Sequence, residues 1–126
     1  MNHFIQDIKD FHKKFGLEYN GPPRQLPQNL HLFRVKFLSE ELDEYRIALV
    51  ENNKVDQLDA LVDLVYVALG TAYLHGFNIQ EAWRRVHEAN MKKARALKNE
   101  DSKRGSAEYD VIKPPGWKPA NLKDLV

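Results

Sequence analysis

No cysteine occurs in the 126-residue sequence, which excludes a disulfide scaffold and a thiolate metal site. A reducing cytoplasm is then the default compartment. Long hydrophobic runs are also missing. The longest, Leu64 to Leu74, is preceded by Asp63 and is too short to cross a bilayer. Neither a membrane span nor a signal peptide is therefore expected. No internal repeat, low-complexity tract or Glu-x-x-His spacing is found, and the last absence counts against a di-iron carboxylate bundle. Net charge is nearly absent too, at +1, but that balance hides a segregation. Glu40, Glu41, Asp43, Glu44, Glu51, Asp56, Asp59 and Asp63 crowd one stretch, and Arg84, Arg85, Lys92, Lys93, Arg95, Lys98, Lys103 and Arg104 a later one. The two runs read either as solvated faces that pair with each other or as a pole for cations beside a pole for phosphate.

With 43% hydrophobic residues, the chain is expected to build one domain, 1–126, with its own core. Four helices are marked by their punctuation. The first runs from about Asn2 to Phe15, with Phe4, Ile8, Phe11 and Phe15 on one face and Gly16 as its stop. Gly21-Pro22-Pro23 and Pro27 form a loop. The second helix spans about Asn29 to Glu51 and breaks at Asn52-Asn53. The third takes Asn53 as N-cap and ends near Gly76. The fourth opens with Asn78 and Glu81 in capping-box spacing and reaches about Lys98. From Asn99 the helical period is lost in an extended tail, 99–126, where only Tyr109 to Ile112 has strand character.

Short connections between long helices favour antiparallel neighbours, so the expected fold is all-α and four-helix-bundle-like. The third helix is apolar on nearly every side. One small chain does not cover such a helix, so a homodimer or dimer of dimers is expected. Tyr66 and Trp83 read as core, Gly70 as a close helix contact, and His87 as a core or interface histidine.

The chemistry is in the phase of the acidic residues. On the second helix the apolar stripe Leu30, Phe33, Phe37 and Ala48, continued through the middle, lands on Glu41 and Glu44. Asp63 sits inside the apolar stretch of the third helix, with Asp59 one turn earlier on the same side. Ionised carboxylates in a bundle interior cost many kcal/mol unless cations compensate them. Arg34 and Arg46, the nearest arginines, look peripheral. A divalent ion is the better compensator, and an all-oxygen site selects Mg²⁺ or Mn²⁺ over zinc.

Glu40-Glu41-Leu42-Asp43-Glu44, followed by Asp59-Ala60-Leu61-Val62-Asp63, resembles the all-α nucleotide pyrophosphohydrolase superfamily of MazG-like proteins, dimeric dUTPases and phosphoribosyl-ATP pyrophosphohydrolases. The similarity extends through Asp10-Phe11-His12, Asp59 to Ala72, Val86 to Lys93 and Lys113-Pro114-Pro115-Gly116-Trp117, and is closest to the MazG-like, phosphoribosyl-ATP-pyrophosphohydrolase-like branch common in bacteria and phages. It implies hydrolysis of a nucleoside triphosphate between the α and β phosphates, with Glu41, Glu44 and Asp63 as metal ligands. Glu40 resembles the residue that contacts metal or orients the attacking water. The superfamily pattern carries a glutamate three positions before the aspartate, where this chain has Ala60. Asp59 is the substitute ligand and Asp56 the fallback.

Asn90 and Lys93, spaced to share a helical face, resemble residues that hold phosphate oxygens. Lys103, Arg104, Lys113 and Trp117 lie in a tail too polar for a core, expected to fold over a neighbouring site, with Trp117 alternatively a packing anchor. Two rival substrates stay open, phosphoribosyl-ATP and a pyrimidine deoxynucleotide. So do two non-catalytic readings: a nucleic-acid-binding helical module, which leaves the acidic core positions unexplained, and a dimer that binds metal only for stability.

Overall fold

A computed structural model describes residues 2–126. The fold is all-α, with four helices and little strand: α1 (Asn2–Lys14), α2 (Gln28–Val50), α3 (Lys54–His75) and α4 (Ile79–Asn90), then two short strands, β1 (Ala94–Arg95) and β2 (Val111–Ile112). The chain divides into two compact units, one formed by the residues up to Gln80 together with Leu125 and Val126, the other by Glu81–Asp124.

In the first unit α2 and α3 pack along each other and α1 packs on α3. The three residues between α2 and α3 force the pair antiparallel. Asn52 takes the left-handed conformation there, φ 52°, which asparagine tolerates. Asn53 then caps α3 reciprocally. Its Oδ1 accepts from the Asp56 amide at 3.0 Å and its Nδ2 donates to the Asp56 carboxylate at 2.9 Å. Gly76 ends α3 at φ 75°, where a Cβ would also meet the Gly21 and Pro22 carbonyl oxygens at 3.0 Å. The Gly-Pro loop is tied to that end: Arg24 Nε donates to the Leu74 carbonyl at 3.0 Å and the His75 Nδ1–H donates to the Arg24 carbonyl at 2.8 Å.

The core is small. Ile8, Ala48, Ala60, Val67, Leu69, Ala72 and Leu74 are buried in this unit. On α2 the buried line is Arg34, Glu41, Ala48, one residue every seven, so two of its three positions are charged. Arg34, expected at the periphery, is instead a core residue. Its Nε donates to Thr71 Oγ1 at 3.0 Å and its Nη2 to the Val67 carbonyl at 2.9 Å. Gly70 makes the close contact expected of it, since a Cβ would meet Arg34 Nη2 at 2.9 Å and His12 Cε1 at 3.2 Å. Among the described side chains of α1, Ile8 and His12 are the buried ones. The expected face of Phe4, Phe11 and Phe15 stays exposed, although Phe11 meets Tyr66 edge-on at 5.4 Å. Phe33 is likewise exposed.

In the second unit α4 ends at Asn90, well short of the expected Lys98. A helix continuing through Lys93 would bond the Lys93 amide to the Ala89 carbonyl. That oxygen is taken instead by Trp117 Nε1 at 2.7 Å and by the Lys92 amide at 3.1 Å. The chain turns and enters an antiparallel hairpin, with Ala94 opposite Ile112 and Arg95 opposite Val111. The tail is thus folded, with its strand at the C-terminal end of the expected Tyr109–Ile112 segment. Trp83 and His87, expected to be covered, are exposed.

Candidate functional site

Three carboxylates converge between α2 and α3. One oxygen from each of Glu41, Glu44 and Asp63 lies within 4.8 Å of the others. Glu41 and Glu44 are three apart, so one turn of α2 stacks them, and the antiparallel pairing brings Asp63 of α3 alongside. The three span a gradient of exposure, Glu41 buried, Asp63 half-buried and Glu44 exposed, so the cluster opens to solvent on the Glu44 side. Among the described residues, Glu41 Oε2 is the one buried side-chain polar atom without a hydrogen-bond partner.

The electrostatics follow from that placement. Burial, then a proton shared with Glu44 and the negative charges of Glu44, Asp63 and Glu40, push the Glu41 carboxyl up to about 7. Asp63 is raised by burial and by the charges of Asp59 and Glu44. Arg34 lies on the same line of α2, two turns and so about 10 Å from Glu41, and its bonds run to Thr71 and Val67. It leaves the cluster uncompensated.

Asp59 does not enter the triad. With Asp56, Glu44 and Glu51 it lines an adjoining hollow of about 200 Å³, reached through Glu44. Asp56 is committed to the cap of α3, whereas Asp59 is exposed and electrostatically felt by Asp63. Ala60, where the superfamily pattern has a glutamate, is 2% exposed and lines the same hollow. Glu40 is exposed beside Glu41.

The remaining candidates belong to the second unit. Asn90 is the last residue of α4 and Lys93 lies beyond it, its amide bonded to the Asn90 carbonyl at 3.1 Å. The shared helical face expected for this pair is therefore replaced by a turn. Lys93, Lys103, Arg104 and Lys113 line one pocket of about 480 Å³. Lys93 and Lys113 each hold an ammonium 5.3 Å from the Trp117 ring centroid. The neighbouring arginines are engaged locally: Arg84 pairs with Glu81 and Glu88, and Arg85 takes Asp124 at 2.6 and 3.0 Å. Sequence reasoning missed Ser102 and Asp110, the buried polar pair of the tail. It misplaced Arg34, whose seven-residue spacing from Glu41 and fourteen from Ala48 was the available signal.

Fold and cluster together describe an all-α chain with acidic residues set between two core helices. The chain belongs to the phosphoribosyl-ATP pyrophosphohydrolase family, whose model matches residues 8–90. That span holds the carboxylate cluster and ends with α4. Membership implies a hydrolase activity of the pyrophosphohydrolase type. No curated protein sequence matches the chain.

Proposed function

We propose that the protein is a Mg²⁺- or Mn²⁺-dependent nucleoside triphosphate pyrophosphohydrolase, releasing a nucleoside monophosphate and pyrophosphate. The observation that carries this is the buried, partnerless oxygen of Glu41 inside a triad of carboxylates. Leaving such a group ionised costs several kcal/mol, and a hard cation among three carboxylates relieves it. The donor set fits: all oxygen, open on one side, with room for water and phosphate oxygens. Glu41, Glu44 and Asp63 would hold the ion, with Asp59 adding negative charge from the adjoining hollow. When bound, it supplies Lewis acidity toward phosphate oxygens and water and neutralises charge as pyrophosphate leaves.

The chain's own residues do the rest. Asp63 and Glu41 fix the acidic pole from two different helices, so the pole is as rigid as the α2–α3 pair. Glu40, exposed at the neighbouring position, orients water and accepts its proton. In the second unit, considered by itself, Asn90 offers a donor and Lys93 a point charge suited to phosphate oxygens. The apolar surface that the α1–α3 unit leaves exposed supports a homodimer or a dimer of dimers, and a nucleotide substrate and absent cysteine support a cytoplasmic setting.

Phosphorus NMR of a triphosphate digest tests the scissile bond. Pyrophosphate and monophosphate are expected together, with no diphosphate. Orthophosphate as first product refutes the reading. The description of the matching family favours a second substrate, phosphoribosyl-ATP, for the same chemistry. A nucleotide panel scored by product separates the two, and chelation should abolish activity on either.

A further inference from the structure

The family match ends at Asn90, yet a dense polar arrangement lies beyond it. Asp110 is buried in the tail and each of its oxygens is answered. Oδ2 accepts from Ser102 Oγ at 2.5 Å; Oδ1 accepts from Arg104 Nη2 at 2.7 Å and from the Val111 amide at 2.9 Å. Ser102 Oγ accepts in turn from the Arg104 amide at 3.2 Å, and the Ala96 amide donates to the Asp110 carbonyl at 3.1 Å. One carboxylate therefore ties the 102–104 turn to the hairpin. It holds a single Nη of Arg104, whose side chain remains 70% exposed, which leaves the other guanidinium donors open to a ligand.

Arg104 also lines a pocket. Lys93, Lys103, Arg104 and Lys113 line it against one acid, Asp101, and it measures about 480 Å³, the size of a small-molecule site. Its cations are held from two sides. Asp110 orients Arg104, while Trp117, pinned to the Ala89 carbonyl, lies under the ammonium groups of Lys93 and Lys113. Among the described residues, Lys103 and Lys113 make no ion pair. A basic surface that merely keeps a protein soluble needs neither a concave shape nor a buried carboxylate behind one arginine.

We propose that this pocket is an anion subsite for a pyrophosphate-sized group, and that Asp110, through Arg104, is its positioning residue. This deepens the function proposed above, resting on it for the source of the anion: the pyrophosphate released. A concave site with four cations suits a compact polyanion. A nucleic-acid strand is engaged by an extended basic stripe.

Calorimetric titration of the metal-free, full-length protein with inorganic pyrophosphate tests the site without turnover. Binding is expected, weakened about tenfold or more by Lys103→Ala and by Arg104→Gln, with circular dichroism checking that each variant stays folded. Asp110→Asn should weaken it comparably in the parent chain and have no further effect in the Arg104→Gln background, because the two residues act as one unit. A purely structural Asp110 would add its loss in both backgrounds. Asp63→Asn should bind pyrophosphate as the parent does, so failure of the carboxylate site and failure of this pocket are separate results. Absence of binding, affinity indifferent to Lys103 and Arg104, or tighter Lys103-dependent binding of a single-stranded oligonucleotide would each overturn the proposal.

Discussion

Glu41 and Asp110 are buried carboxylates pushed in opposite directions. For Glu41, desolvation and like charges raise the carboxyl to about 7. Its contribution to stability is then fully present below the ordinary carboxylate range and is lost as pH rises through about 7. The metal-free protein should lose stability by this route between about pH 5 and about pH 8, and Mg²⁺ should raise Tm more at the upper end. Glu41→Gln should remove both trends; thermal scans with and without Mg²⁺ read them, and parallel curves for parent and variant would free Glu41 of this role. Asp110 runs the other way. Hydrogen bonds from Arg104 and Ser102 hold it at about 2, so its contribution is present above the ordinary aspartate range and lost only as pH falls through about 2. Asp63→Asn follows from the same reasoning as Glu41. It keeps the shape, removes a raised charge, and should abolish turnover while leaving metal-free stability equal or greater. An unfolded variant with normal turnover per folded molecule would make Asp63 structural.

At the scale of elements, α3 is held by both ends and by one glycine. Gly70→Ala would drive a methyl to 2.9 Å from Arg34 Nη2 and 3.2 Å from His12 Cε1. Those side chains are themselves fixed, by Thr71 and Val67 and by the Ile8 carbonyl. The substitution should therefore cost about 1–3 kcal/mol in denaturant unfolding, against the small gain alanine brings to an unobstructed helix; a neutral result would show that Arg34 can withdraw. The caps of α3 were legible in the sequence because they are local: Asn53 and Asp56 are three apart, and Gly76 sits where the periodicity stops. The carboxylate cluster was legible for a related reason, since Glu41 occupies a core position of a helical pattern. The end of α4 was not. Its terminating donor, Trp117, is 28 residues on, and nothing between Met91 and Lys98 forbids a helix. Asp110 was hidden in the same way, because a lone aspartate in a polar tail shows its burial only once Ser102 and Arg104 have folded back on it.

At the scale of the molecule, the question is what covers α3. It is 22 residues long and apolar enough to pass for a membrane span by composition, yet Asp59 and Asp63 interrupt it and α2 packs along it. Leu58, Leu61, Val62 and Val65 remain 43–66% exposed in the isolated chain. Three of these, Leu61, Val62 and Val65, line a groove of about 440 Å³ with Phe4, Tyr66 and Leu69. A contiguous apolar surface of this kind is what a stable self-association removes from water, at about 25 cal/mol per Å². Light scattering should accordingly give a dimer or a dimer of dimers at micromolar concentration. Val65→Lys places an ammonium in the groove, away from the Glu41–Glu44–Asp63 oxygens, and should shift the mass toward monomer without reducing helical content by circular dichroism. If the parent chain is a stable monomer, or if Val65→Lys leaves the mass unchanged, the exposed face of α3 is not the surface on which two copies meet.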